Sequence, residues 1–172
     1  MIETIRLEVR VNSHHFFLIE EGVSPITGGE EGVTDIGIAR SAAQRASFVV
    51  GRKDGTVNLT VCLASIDPGP RLSDYEDVVE LPIELHDGVV AVHSHWGNGY
   101  LEILPPLSRG PGSYRIRYHA LKMDEGEWAG YDGGIIDSYL LQIWPDNQRK
   151  ASIVQVRSRY AQSMMRTVAP EG

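Results

Sequence analysis

Apolar and polar residues alternate one by one through much of this chain, and this alternation constrains its fold more than any other feature. Apolar residues occupy every second position from Thr4 to Val11, from Val57 to Leu63 and from Tyr114 to Tyr118. Because successive side chains of a β-strand point to opposite faces, such segments form strands with one apolar face. No amphipathic helical pattern of three turns occurs before residue 150, which excludes βαβ architectures.

Turn residues separate these segments at short intervals. Asp54-Gly55 and Asp87-Gly88 supply the positive φ angles of tight hairpin turns, and Pro111-Gly112 precedes another strand. The sequence therefore predicts an all-β fold, an antiparallel β-sandwich of about 8 to 10 short strands with little helix. Any helix is expected near residues 35–45 or 157–167.

The apolar positions that share one face of each predicted strand define a predicted core. Its members are Ile5, Leu7, Val9, Val49, Leu59, Val61, Leu63, Val79, Leu81, Ile83, Ile116, Leu140 and Ile143.

Charge is distributed unevenly along the chain. Residues 1–90 contain 15 acidic and 7 basic side chains, whereas residues 91–172 contain 8 and 9. This balance argues against nucleic acid as a partner, because phosphate binding requires a basic surface.

We expect a β-sandwich domain over residues 1–145. A basic C-terminal tail, residues 146–172, should form a strand or short helix that packs on this domain or extends from it.

Cysteine content and hydropathy indicate the compartment. Cys62 is the one cysteine, which excludes an intramolecular disulfide and fits a reducing environment. The first ten residues do not read as a secretion signal, and no apolar run is long enough to span a membrane. The sequence therefore predicts a cytoplasmic protein with no membrane partner.

His93 and His95 are the strongest candidates for metal chemistry. Residues two apart on a strand share a face, so both imidazoles could bind one metal, with Glu102 or His119 as a third ligand. Together with Gly88 this set resembles the cupin metal motif. Four rather than five residues separate Gly88 from His93, however, and six rather than three or four separate His95 from Glu102. We expect no tightly bound transition metal here, and no cofactor.

Two acidic segments are candidate partner-binding surfaces. Their residues are Asp74, Glu76 and Asp77 in the first, and Asp124, Glu125, Glu127, Trp128 and Tyr131 in the glycine-rich second, residues 123–137. The second segment lacks the regular alternation of oxygen ligands found in calcium loops. Aromatic side chains in a flexible acidic loop suit contact with a protein or a sugar. Alternatively, Trp128 folds back and covers the core.

The order of several segments resembles a known family. An apolar hairpin over residues 43–63 precedes SDYEDVVELPIEL, PGSYRIRYHALKMD and DSYLLQIWP. This order resembles a bacterial family of uncharacterised β-sandwich proteins. It is also similar to competence protein J, the inhibitor of the DNA-entry nuclease, at Gln44-Arg45, Tyr75-Glu76, Gly112-Ser113-Tyr114 and Tyr139. The likeness covers residues 5–145. It implies a shared β fold and, with less force, an inhibitor function.

Two classes of function are consistent with these features. The first is a non-enzymatic protein-binding domain, a nuclease inhibitor or immunity-type protein whose acidic face covers the basic groove of a nuclease or toxin. The second is a small-molecule or carbohydrate-binding β-sandwich, or a metal-dependent enzyme, built on His93, His95, Trp96, Tyr100 and Trp128. We favour the first, because no catalytic set of residues was recognised in the sequence.

Overall fold

The computed structural model describes residues 2–26, 30–94, 101–130 and 133–166. Its strands and helices, in chain order, are β1 (Ile2–Val11), β2 (His15–Glu20), β3 (Thr34–Asp35), β4 (Ala39–Ala42), β5 (Arg45–Val49), β6 (Gly55–Ala64), β7 (Asp77–Leu85), β8 (Val90–Ser94), β9 (Leu101–Ile103), β10 (Gly112–Leu121), α1 (Met123–Glu127), β11 (Ser138–Pro145), β12 (Ser152–Gln155) and α2 (Arg159–Arg166).

The strands of the described residues form two six-stranded sheets. The first has the order β1-β6-β11-β10-β7-β12 and the second the order β3-β4-β5-β2-β8-β9. Neighbouring strands are antiparallel, except that β6 and β11 run parallel. The predicted all-β fold is confirmed, although the described residues form more strands than the 8 to 10 expected.

The two Asp-Gly turns do not close hairpins. Asp54-Gly55 connects β5 to β6, with Gly55 as the first residue of β6, and Asp87-Gly88 lies between β7 and β8. In each case the two strands belong to different sheets. The predicted hairpins at these turns are therefore wrong. Gly55 and Gly88 do adopt positive φ angles, of 135° and 80°. The local backbone was predictable, whereas the sheet that each strand joins depends on long-range packing.

Side chains from both sheets form one core. The predicted core residues are buried, apart from Ile5 and Leu7, which are partly buried on the edge strand β1. Leu140 is buried on the outer face of the first sheet, because its neighbours Tyr139 and Leu141 point into the core. Its assignment to the core between the sheets is wrong.

The outer face of the first sheet is buried along β10 and β11. Arg115 and Arg117, which alternate with the apolar residues of β10, are only 1% and 3% exposed. Both guanidinium groups donate to Glu80, at 2.6 and 3.0 Å, and Arg117 also donates to Asp67 at 2.8 Å. Alternation identifies polar positions correctly, but it does not reveal that other segments cover them. Arg117 binds Asp67, and Arg115 binds residues 148–152.

The helices are short. The helix expected within residues 157–167 is present as α2, whereas residues 35–45 contribute to β3, β4 and β5, so the helix expected there is wrong. Residues 152–155 form β12 at the edge of the first sheet, beside β7. The domain boundary at residue 145 stays a prediction. In the described part of the chain, no helix has the length and apolar character needed to cross a membrane.

Candidate functional site

The two acidic segments predicted as contact surfaces meet at one end of the first sheet. The Lys122 backbone amide, just before α1, donates to Glu76 Oε1 at 2.8 Å. The side-chain amide of Gln155 donates to the carbonyl oxygens of Leu72 and Tyr75 at 3.1 and 2.9 Å. Residues 72–77 therefore contact both the start of α1 and the strand that leads to α2.

Asp77 does not belong to the accessible surface. Its side chain is fully buried, and its Oδ1 accepts hydrogen bonds from the backbone amides of Arg157 and Ser158 at 2.9 and 3.0 Å. The carboxylate thus fixes the segment that enters α2. The prediction that Asp77 takes part in partner binding is wrong, because a buried side chain cannot meet a partner.

The Asp124 carboxylate also binds groups within the protein. Its Oδ2 and Oδ1 accept hydrogen bonds from the backbone amides of Arg159 and Tyr160, at 3.1 and 2.8 Å. These are first-turn amides of α2, which have no partner within the helix and carry its positive partial charge. Asp124, partly buried, therefore joins α1 to α2 and is less available to a partner than the sequence suggested.

Within residues 123–137, the exposed members of the predicted site are Glu125, Glu127 and Trp128. Trp128 is 85% exposed, so the alternative in which its ring folds back over the core is wrong. Ile135 and Ile136, in the same loop, are 38% and 37% exposed. We call Glu125, Glu127, Trp128, Ile135 and Ile136 the α1 loop surface. It combines a large aromatic ring, two aliphatic side chains and two carboxylates.

Asp74 and Tyr131 are the remaining predicted residues. Asp74 is exposed and forms an ion pair with Arg71, with 2.6 Å between Oδ2 and Nη2. Tyr131 lies outside the described residues. Exposed ion pairs of this kind stabilise a protein little, and Asp74 therefore remains available for long-range attraction to a partner.

A buried arginine holds the loop that follows α1. The Arg52 side chain has no exposed area, and its guanidinium group donates four hydrogen bonds to backbone carbonyl oxygens. The acceptors are Gly130 and Gly133 on Nη2, Gly134 on Nη1 and Asp54 on Nε, at 2.7 to 3.1 Å. Sequence reasoning missed Arg52, since an arginine beside a lysine before a turn looks like an exposed cation.

Helix α1 lies directly on the backbone beside Arg52. A Cβ atom added to Gly51 would stand 2.0 Å from the carbonyl oxygen of Met123, so only glycine permits this approach. A Cβ added to Gly126 would lie 2.8 Å from Asp137 Oδ2. Both glycines let the helix sit against the sheets without a side chain between them, which places Trp128 at a defined position.

Asp137 holds the far end of the loop. Its carboxylate is fully buried and accepts hydrogen bonds from the Tyr139 hydroxyl at 2.5 Å and the Arg52 amide at 3.3 Å. Burial raises the pKa of Asp137, while these hydrogen bonds and the nearby Arg52 charge oppose the rise. The loop is thus fixed at both ends by buried polar groups.

The candidate metal ligands do not converge. Glu102 pairs directly with Val92, which lies in the core, whereas His93 pairs with Leu101. Directly paired residues share a face of the sheet, so Glu102 and His93 lie on opposite faces. His119 belongs to the other sheet, and His95 lies outside the described residues. Among the described residues, no three His, Cys, Asp or Glu side chains are grouped so that they could hold a metal ion.

A small cleft borders His93. It has a volume of about 200 Å³ and is lined mainly by aliphatic side chains, among them Ile19, Val90 and Ile103. Burial lowers the pKa of His93. The ligand-binding hypothesis requires an aromatic ring beside the histidines, but Trp128 does not line this cleft, and Trp96 and Tyr100 lie outside the described residues.

Comparison with solved structures identifies two proteins of similar fold. One is the crystal structure of ComJ from Bacillus subtilis, described as an inhibitor of the DNA-degrading activity of NucA. The chain shares its fold. The TM-score is 0.56 at 16% identity, over 85% of this chain and 99% of ComJ. The other is the product of crocagin biosynthetic gene J, with a TM-score of 0.53 at 14% identity, over 86% and 99% of the two chains.

No family model and no curated protein sequence matches the chain. The resemblance to competence protein J expected from the order of segments is confirmed as a likeness of fold. At these identities the comparison shows architecture only, so function depends on the residues described above.

Replacing Arg52 by lysine tests whether its guanidinium group holds the α1 loop surface. Arg52→Lys keeps the charge, but one ammonium group cannot reach acceptors on both sides of the loop. Losing several of these hydrogen bonds around a buried charge should lower the free energy of unfolding by about 2 to 4 kcal/mol. We also expect faster proteolysis within residues 128–136. Chemical denaturation and limited proteolysis measure both effects, with Lys53→Arg at the exposed neighbouring residue as control. A cost below about 1 kcal/mol would contradict the assigned role.

The burial of His119 should make the stability of the protein depend on pH. The Arg71 backbone amide donates to His119 Nε2 at 3.1 Å, and the side chain is fully buried. Burial, with smaller contributions from Arg117 and Arg71, lowers the pKa of His119 to about 4. In the unfolded chain the His119 ring takes up a proton near pH 6.5, whereas in the folded chain it does so only near pH 4. Stability should therefore fall as the pH is lowered through this interval, by up to about 3 kcal/mol.

Urea denaturation at a series of pH values measures this loss. His119→Gln should remove the corresponding part of the pH dependence, whereas His86→Gln, at an exposed histidine, should leave it in place. An NMR titration in which the His119 ring signals change near pH 6.5 would show that the ring is not held neutral by burial.

Proposed function

We propose that this chain is a non-enzymatic protein-binding domain that inhibits a nuclease, using the α1 loop surface to contact it. One observation carries the proposal: Trp128 is 85% exposed on a loop whose backbone is bound by the buried Arg52 guanidinium group. A large exposed aromatic side chain on a fixed support is typical of the anchor residues of protein interfaces. The ComJ-like fold supports the inhibitor role.

The hydrogen bonds from Arg52 to the loop backbone make this loop suited to binding. A mobile loop loses conformational freedom when it binds, which weakens association, whereas a loop already held in place loses little. The support includes two buried groups, Arg52 and Asp137, and the close contact of α1 with Gly51. The indole ring can therefore enter a pocket on the partner without reordering its own loop.

The charges beside Trp128 indicate the chemistry of the partner. Glu125 and Glu127 are exposed, and Asp74 adds an exposed carboxylate on the segment that contacts the start of α1. A nuclease binds the phosphates of DNA with basic side chains, and carboxylates at the same positions would attract these side chains. A basic substrate groove is accordingly the surface that this site fits. A toxin with such a groove would suit an immunity-type role.

Inhibition of DNA degradation tests the proposal. The purified chain is titrated into NucA, or into a DNA-degrading nuclease encoded beside its gene, and loss of DNA cleavage is measured. Trp128→Ala should weaken inhibition about 30-fold, equivalent to about 2 kcal/mol for an interface anchor. Ile66→Ala, at a residue that is 75% exposed outside this loop, is the matched control and should change inhibition less than about twofold.

The folded state of both variants is checked by thermal unfolding. Trp128→Ala should unfold at nearly the same temperature as the unmodified chain, because its ring contributes little to the core. If Trp128→Ala inhibits as strongly as the unmodified chain, or if the chain inhibits neither nuclease, the proposal is wrong.

The carboxylates should act mainly on the rate of association. Glu125→Lys combined with Glu127→Lys should slow association and reduce its dependence on salt, because exposed charges attract a partner over the screening length of about 8 Å. Glu31→Lys, at an exposed residue outside the α1 loop surface, is the single-charge control. Surface plasmon resonance at several salt concentrations measures these rates. Equal association rates for the double variant and the unmodified chain would show that these carboxylates do not steer binding.

A further inference from the structure

Strand β1 forms an open edge of the first sheet. It has ten residues and pairs along its whole length with β6 on one side. On its other side, no strand of the described residues pairs with it. Such an edge presents unpaired backbone groups that another strand can bind. The core also ends here, because Ile5 and Leu7 are only partly buried.

The side chains of β1 complement those of a second copy of the same strand. When two copies run antiparallel about a two-fold axis through Leu7, Arg6 of each copy faces Glu8 of the other. On the core side Leu7 faces Leu7, and Ile5 faces Val9. Arg6 and Glu8 are exposed in the single chain. Opposite charges placed directly across antiparallel strands stabilise the pair, and apolar pairs on the other face extend the core.

Other registers are less complementary or shorter. A shift by one residue places the apolar face of one strand beside the polar face of the other. An axis through Arg6 or Glu8 places like charges directly opposite each other. An axis through Val9 pairs Glu8 with Arg10, but only residues 7–11 of the two strands then pair. With the axis through Leu7, residues 3–11 pair.

We propose that two copies of this chain associate by antiparallel pairing of β1 about Leu7, which joins their first sheets into one continuous sheet. The pairing surface lies at the opposite edge of the sheet from β12 and does not include Trp128. This inference is therefore independent of the proposed function, and either can fail without the other.

Sedimentation velocity over a series of concentrations tests the pairing. The chain should sediment as a dimer at high concentration and dissociate on dilution. Arg6→Glu or Glu8→Arg alone places like charges opposite each other and should weaken the dimer about tenfold or more. The combination of both substitutions restores opposite charges and should recover the affinity to within about threefold. Lys150→Glu, on the segment leading to β12, is the charge-matched control and should leave the dimer unchanged. A monomer at every concentration, or no recovery in the double variant, would overturn the proposal.

A cross-link defines the register directly. In a Cys62→Ser background, Leu7→Cys places two thiols across the two-fold axis. Directly opposed Cα atoms of antiparallel strands lie about 4.5 to 5.5 Å apart, within the range of a disulfide. Mild oxidation should therefore give a covalent dimer. Thr4→Cys, which faces Arg10 in this register, is the control and should not cross-link. Equal cross-linking of both variants, or none with Leu7→Cys, would contradict the assigned register.

Discussion

The candidate contact surface depends on one buried cation, the guanidinium group of Arg52. Moving such a group out of water costs several kcal/mol unless hydrogen bonds replace its hydration. Here its Nε, Nη1 and Nη2 atoms all donate to backbone carbonyl groups, three of them on the glycines that follow Trp128. Moving these glycine carbonyl groups away would leave Nη1 and Nη2 without their acceptors, and this constraint holds the loop that carries the exposed indole ring.

Charged side chains elsewhere in the molecule also bind groups within the protein. Although the chain carries a formal net charge of −7, several of its carboxylates bind internal partners. Glu80 accepts from two buried arginines, Asp77 and Asp124 fix the start of α2, and Glu20 accepts from the backbone amides of the turn between β7 and β8. The acidity available to a partner is therefore concentrated in fewer residues, of which Glu125 and Glu127 stand beside Trp128.

The sequence predicted what local pattern determines. Alternation located most strands and gave the fold class, and the loop with Trp128 was recognised from its composition. Some features depend on residues far apart in the chain, so no local pattern indicates them. These are the pairing of β6 with β11, the passage of the chain from one sheet to the other at Gly55 and at Gly88, and the burial of Asp77. Arg52 escaped notice for the same reason, since its four acceptors include three that lie 78 to 82 residues away.

In the proposed function, Trp128 enters the interface with a nuclease. Hydroxyl-radical footprinting with mass spectrometry measures this directly, because the oxidation rate of a side chain follows its exposure. In the free chain Trp128 should be oxidised rapidly and Trp144, 2% exposed, slowly. On saturation with the inhibited nuclease, we expect the oxidation rate of Trp128 to fall close to that of Trp144. Unchanged oxidation of Trp128 in a complex that no longer degrades DNA would contradict it.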